Sequence, residues 1–308
     1  MPKIVYTSQR FHGPTRDIIE KANAIAVEYA QKGYSMTLRQ VYYQFVSRGW
    51  LENSDRSYKR LGKIINDARL AGEIDWHHLT DRTRFLRSEN GWESPASIIE
   101  ASAQQFRREL WSATEQQYRP EVWVEKDALV DVVGRACEEF AVPFMSCRGY
   151  VSQSEMWVAG RRMLNHFDQG LKPVVIHLGD HDPSGIDMTR DIQERLTMFA
   201  EQDVPVKRIA LNMDQVERYN PPPNPAKLTD SRGSGYVERF GYESWELDAL
   251  DPDTLNALIR DAVSGYVDRA AWEQGEAEDE RMRNDMSGVA SRWDDLMERW
   301  DDVLEVIE

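Results

Sequence analysis

The sequence predicts an α/β protein: a helical, mildly basic N-terminal domain, a parallel-sheet domain, and a helical, acidic C-terminal extension. Three observations predict it. Apolar residues recur at helical spacing in three consecutive segments ahead of residue 75. Four short β-rich runs between residues 121 and 211 alternate with amphipathic segments, the pattern of right-handed βαβ units. Charge is graded along the chain: residues 1–120 hold 18 Lys+Arg against 14 Asp+Glu, residues 121–242 hold 14 against 19, and residues 243–308 hold 6 against 20.

The first helix is "TRDIIEKANAIAVEYAQ", with Ile18, Ile19, Ala22, Ile25, Ala26 and Tyr29 on one face and Gly33 as its stop. Thr37 can cap a second helix, "LRQVYYQFVSRG", with Gly49 past its end. A third, "SYKRLGKIINDARLAG", ends near Gly72 and carries Lys59, Arg60, Lys63 and Arg69. Three short helices with tight turns look like a helix-turn-helix or winged-helix unit whose third helix faces a DNA groove; a small helical bundle with a solvated basic face has the same periodicity. Residues 89–118 read as a linker and connecting helix.

From Glu121 the rhythm changes. "EVWVE", "VPFMSC", "PVVIHLGD" and "VKRIAL" read as strands, and the segments between them as helices. Residues 213–242 hold the proline- and glycine-rich excursion "YNPPPNPAKLTDSRGSGY". Helical structure resumes with "SWELDALDPDTLNALIRDAVSGYV", and in the acidic tail Val289, Trp293, Leu296, Trp300 and Leu304 form an apolar stripe that should dock on the body or on another chain. The predicted organisation is therefore 1–88, 89–118, 119–242 and 243–308.

Several classes are excluded or disfavoured. No run of about 18 apolar residues occurs, and "MPKIVYTSQRFHGPTRD" lacks the regions of a signal peptide, so a cytoplasmic protein with no membrane segment is expected. Cys137 and Cys147 are too few for a disulfide framework and lack zinc-ligand spacing; both read as buried thiols. A net charge of -15 argues against indiscriminate nucleic-acid binding, but local basic patches set phosphate affinity, and the N-terminal domain supplies one.

Functional groups in an open parallel sheet gather at the carboxyl ends of its strands. Glu125 closes the first predicted strand, and Asp180 and Asp182 follow the third in "VVIHLGDHDPSGIDM". Oxygen-only ligands of this kind suit Mg²⁺, with Mn²⁺ as an alternative, and a divalent cation would relieve their repulsion. The bland reading is that Asp180 and Asp182 only cap a turn and a helix start. Asp187, Glu155, Glu246 and Asp248 are weaker candidates. His177 and His181 read as local hydrogen-bonding groups, and Lys126, Lys227 and Arg232 as candidate phosphate contacts.

The strand-Glu motif "VEKDAL" together with "GDHDPSGIDM" resembles the Toprim domain of the topoisomerase VI A subunit and its relative, the meiotic double-strand-break protein, and "RQVYY" (Arg39–Tyr43) resembles the tyrosine motif on that family's winged helix. The resemblance covers most of residues 30–215, and the short length suggests a reduced, mini-A-like member. It implies a winged-helix domain followed by a Toprim domain, with Tyr43 as the nucleophile that becomes joined to a DNA 5′-phosphate. Arg39 would steady the phosphate, Tyr42 would pack beside Tyr43, and Glu125 would serve as acid/base or metal ligand. Asp180 and Asp182 would hold Mg²⁺; beside the resemblance, Lys59, Arg60 and Lys63 are candidate DNA contacts from their place on the presumed recognition helix, as is Lys126. It also implies double-stranded DNA as partner, nucleoid association, a homodimer in which the tyrosine of one protomer meets the metal site of the other, and a separate B-type ATPase subunit.

The chain departs from the pattern in places. It has no GxxxxGK[ST] loop, Gln40 replaces the usual acid after the arginine, "CRGYVSQSEMW" lacks a glycine-tyrosine-proline motif, and the acidic tail has no counterpart. Two other readings stand beside the first: a Toprim phosphodiesterase that uses water in place of Tyr43, and a DNA-binding relative without catalysis.

Overall fold

The computed structural model describes residues 3–33, 36–79, 91–226 and 232–300. The chain divides into two units, the first built from Met1–Arg84, Pro120–Gln169 and Pro173–Ser264, the second from Phe85–Arg119, Gly170–Lys172 and Gly265–Glu308. It is an α/β fold with a helical part and a four-stranded parallel sheet.

In the first unit, α1 (Pro14–Gln31) buries the same six apolar residues that its spacing predicted, and Gly33 ends it at φ 78°. A capping box opens α2 (Leu38–Ser47). The Thr37 hydroxyl accepts from the Gln40 amide, and the Gln40 side chain accepts from the Thr37 amide. Such a cap contributes about 1 kcal/mol. Gln40, the departure noted above, is thus the residue that closes the box. Ser54 caps α3 (Asp55–Leu70). The three helices enclose one core around Ile19, Ile25, Tyr29, Phe45, Leu61 and Ile65. No β-hairpin follows α3 among the described residues up to 79; the predicted boundary at residue 88 and Lys227 lie outside the described residues.

The helices α4 (Pro95–Gln105) and α5 (Leu110–Ala113) belong to the second unit. The sheet comprises β1 (Tyr118–Val124), β2 (Phe144–Ser146), β3 (Lys172–Leu178) and β4 (Val206–Ala210), in the order β2-β1-β3-β4. The β1–β2 and β3–β4 pairs are parallel. The bonds Lys172 N to Gln117 O and Glu125 N to Leu178 O run the same way along both central strands, so β1 and β3 are parallel too. The connections are α6 (Val130–Glu138), α7 (Gln153–Asp168) and α8 (Pro183–Ala200). Met156, Met163, Met188, Ile192 and Leu196 of α7 and α8 pack with Trp123 and Val175 of the sheet.

After β4 come α9 (Met213–Tyr219), a two-stranded ribbon of β5 (Asn224–Pro225) and β6 (Glu243–Ser244), α10 (Gly233–Phe240) between them, and α11 (Pro252–Ser264). The ribbon is antiparallel. Because α11 packs on α6 and β4, residues 243–264 group with the sheet, whereas the sequence places them at the start of the extension.

In the second unit, α12 (Arg269–Ser291) pairs with α4 and α5, and α13 (Trp293–Glu298) follows. Trp111 meets Trp272 edge to face at 5.3 Å, and Arg108 Nε reaches Asp279 at 2.5 Å. Of the predicted apolar stripe, Val289 and Trp300 are exposed and Trp293 and Leu296 half-buried, while Leu304 lies outside the described residues. No described helix is long and apolar enough to cross a membrane.

Candidate functional site

The carboxyl end of the sheet is shaped by the turn from β3 into α8. Asp182 caps α8, its Oδ1 accepting from Gly185 N at 2.6 Å and from Ser184 Oγ at 2.9 Å, with Pro183 at the first helical position. A Cβ on Gly185 would stand 2.2 Å from the Asp180 carbonyl oxygen, so only glycine lets the turn fold back on the helix. Gly179 is similarly confined: a Cβ there would lie 3.0 Å from Glu125 Oε2 and 3.1 Å from Arg208 Nη1 and His177 Cε1. Arg208 ties the turn together. Its Nη2 donates to the carbonyls of Gly179, Asp180 and Leu211, and its Nη1 to Gly185 O and Thr189 Oγ1. Burial lowers its pKa to about 10, against the attraction of Glu125, Asp180 and Asp182.

The three predicted metal acids each commit one oxygen to this scaffold. Glu125 Oε2 accepts from Asp180 N at 2.8 Å, Asp180 Oδ1 from Leu247 N at 2.8 Å, and Asp182 Oδ1 from the α8 amide. The second oxygen of each takes no hydrogen bond from the described residues. Burial, then Asp182, raises the Glu125 pKa; burial also pushes Asp180 up to about 7, although Lys126 opposes it. Glu125 and Asp180 are thus carboxylates held against desolvation, and one or two carboxylates with an oxygen to spare are the kind of donor that Mg²⁺ takes besides water and phosphate. Among the described residues, no three Asp, Glu, His or Cys side chains stand close enough to enclose an ion unaided.

Beside these acids lies a second group that joins α2 to the sheet. Lys126 Nζ reaches Asp180 Oδ1 at 3.0 Å, Glu246 Oε2 at 2.8 Å and Asp248 Oδ1 at 2.9 Å. Arg39 completes the network, Nη2 to Glu246 Oε2 at 2.7 Å and Nε to Asp248 Oδ2 at 3.3 Å. Asp248 and Glu246 together outweigh burial and raise the Arg39 pKa; Asp248, Asp180 and Glu246 do the same for Lys126. Burial alone would raise Glu246, but Lys126, Tyr43 and Arg39 hold it down to about 2.

Tyr43 belongs to this group. Its side chain is 4% exposed, its phenol interacts with Glu246 and Arg39, and the Arg39 guanidinium stands 5.8 Å from its ring centre. Burial first, then Asp248 and Glu246, raise its pKa, so the phenol keeps its proton here. Tyr42 packs at 5.5 Å from Tyr43, and its hydroxyl accepts from Ser54 N at 2.7 Å, pinning the turn before α3. A pocket of about 330 Å³ opens alongside, lined by Arg39, Tyr43, Tyr58, Asn53, Asn224 and Glu246 among others.

The structure thus brings Arg39, Tyr43, Lys126 and Asp180 into one network and joins Glu125 to it through the Asp180 amide. Lys59, Arg60 and Lys63 stand apart from it. They are exposed on α3 and, with Arg56, repeat at helical spacing, without hydrogen bond or ion pair to the described residues. Arg232 pairs with Asp187 and Tyr150. His177 and His181 hydrogen-bond Thr189 and Tyr236, and burial pushes both buried thiols up to about 12.

Glu246 and Asp248, weak candidates by sequence, sit at the centre of the network. Asp248 is fully buried and Glu246 is 25% exposed at the side chain. Their signal was a pair of acids two residues apart in "ELDAL", more than 200 residues from Arg39, with no motif to mark it. Arg208 was equally hidden, one of two adjacent charges in a short strand. Comparison with protein-family models, with curated proteins and with solved structures gives no match.

Proposed function

We propose that this protein is a Mg²⁺-dependent DNA-cleaving enzyme of the topoisomerase VI A kind, with a winged-helix-like N-terminal part, a Toprim-type sheet domain, and Tyr43 as nucleophile. The observation that carries the reading is the convergence of Arg39 and Tyr43 of α2 with Lys126 and Asp180 at the carboxyl end of a parallel sheet. Arg39 and Lys126 supply the cations a scissile phosphate needs, and the Tyr43 oxygen the nucleophile. One or two of Glu125, Asp180 and Asp182, with water and the phosphate, would hold the Mg²⁺, which would supply positive charge to the phosphate oxygens.

In the reaction the Tyr43 oxygen bonds to phosphorus while the bond from phosphorus to the 3′ oxygen breaks. The phenolic proton passes to a carboxylate of the cluster, and the departing 3′ oxygen takes up one proton, so charge and atoms balance without any redox partner. Rejoining is the reverse. The exposed face of α3 would track the DNA backbone with Lys59, Arg60 and Lys63. A homodimer, a separate B-type ATPase subunit and nucleoid association belong to the same proposal.

One observation favours a second reading, hydrolysis by water: Tyr43 is buried with its pKa raised, so the phenol is not activated in this arrangement. Incubation with supercoiled plasmid and Mg²⁺, then denaturation and protease, separates the two. The transesterification reading expects nicked or linear DNA released only after denaturation, and its loss in Tyr43→Phe. Undiminished cleavage by Tyr43→Phe leaves water as the nucleophile, and undiminished cleavage by Asp180→Ala sinks both.

A further inference from the structure

One oxygen of Glu246 is held as a phosphate oxygen would be. Its Oε2 accepts from Arg39 Nη2 at 2.7 Å and from Lys126 Nζ at 2.8 Å, and Tyr43 lines the same pocket as Glu246. A guanidinium and an ammonium turned on one oxygen, with a phenol lining the same pocket, are the groups that bind a phosphate. We infer that Arg39, Lys126 and Tyr43 form a subsite for a single phosphodiester, and that Glu246 is an internal stand-in that fills it until a phosphate displaces it. The inference rests on the proposed reading for the source of the phosphate, but binding itself requires no cleavage.

The two acids of the network divide the work. Asp248 is fully buried, bridges Arg39 and Lys126, and does not line the pocket. Glu246 is partly exposed and lines it beside Arg39, so a ligand entering there can reach the Glu246 carboxylate where it cannot reach Asp248. When Glu246 leaves, Asp248 keeps both cations in position, and a phosphodiester carrying one negative charge restores the balance that the departing carboxylate disturbs. The backbone on either side is fixed. Trp245 exchanges two hydrogen bonds with His181, at 2.8 and 2.9 Å, and Leu247 N donates to Asp180 Oδ1. Only the Glu246 side chain has to turn, and its other oxygen accepts a long bond from Asn224 Nδ2 at 3.4 Å.

The test uses inorganic phosphate on the full-length protein, followed by calorimetry. Glu246→Gln, which keeps size and hydrogen bonding but removes the charge, should bind phosphate at least tenfold more tightly than wild type, and Glu246→Ala should behave alike. Adding Arg39→Ala to Glu246→Gln should return affinity to the wild-type level. The inference is overturned if neither Glu246 variant gains affinity, or if the gain survives loss of Arg39, which would locate it elsewhere. Thermal melts show that the variants compared are folded. DNA cleavage measured on the same preparations separates the two readings: Tyr43-dependent cleavage with no phosphate gain removes the stand-in alone, and a gain without cleavage removes the enzyme reading alone.

Discussion

His177 is enclosed on every side: it is fully buried in β3, its Nδ1 is satisfied by Thr189, and its Nε2 has no hydrogen-bond partner. Burial, helped by Arg208, pushes its pKa down to about 3. The folded protein therefore keeps the ring neutral across the range where an unfolded chain protonates it, so the unfolded state binds more protons below pH 6.5 and stability falls as pH drops from there toward 3. At pH 5.5 the single residue costs on the order of 1 kcal/mol relative to pH 8. Urea midpoints measured at both pH values should show that loss in wild type, and a smaller one in His177→Leu. An equal loss in both would mean that the ring is not neutral in the fold.

At the scale of the element, the exposed face of α3 presents Arg56, Lys59, Arg60 and Lys63 at positions i, i+3, i+4 and i+7, so one side of a single helix carries four positive charges. Each phosphate that such a cation neutralises adds about 0.9 to the slope of log affinity against log salt on duplex DNA. Replacing Lys59, Arg60 and Lys63 with alanine should reduce that slope by about 2 to 3 and weaken binding alike on unrelated sequences, as read by fluorescence anisotropy from 50 to 200 mM salt. These residues point to solvent, so the helix should stay folded. An unchanged slope would assign DNA contact to another face. α2 acts differently: its capping box and its buried Tyr42 fix where Arg39 and Tyr43 stand, so helix position and site geometry are one property.

For the whole molecule, local rules made much of the architecture legible. Helical spacing named all six inner residues of α1, the alternation of strands with helices named the parallel sheet, and the glycines at 33, 49 and 72 marked stops that adopt positive φ. The acids at the strand ends were legible for the same reason, since Glu125 and Asp180 follow β-rich runs. What was not legible depends on the return of the chain after residue 220. The β5–β6 ribbon and its continuation bring Glu246 and Asp248 beneath α2, and no periodicity encodes a contact across 207 residues. The same return explains why α11 covers the sheet although its composition resembles the acidic extension. The charge gradient accordingly has two meanings: some late acids neutralise Arg39 and Lys126 in the first unit, while others lie on α12 and α13 in the second.

The triple carboxylate embrace of Lys126 also governs how that side chain reacts. Acylating reagents attack only a neutral amine, and three carboxylates within 3.0 Å keep this one protonated and sterically closed. In a lysine-labelling map read by mass spectrometry, Lys59 and Lys63 should take the label readily and lose it under bound DNA, whereas Lys126 should stay silent in the native protein. Should the stand-in carboxylate be removed by Glu246→Ala, Lys126 would keep two of its three partners, and its slow labelling would become a direct gauge of how far the pocket has opened.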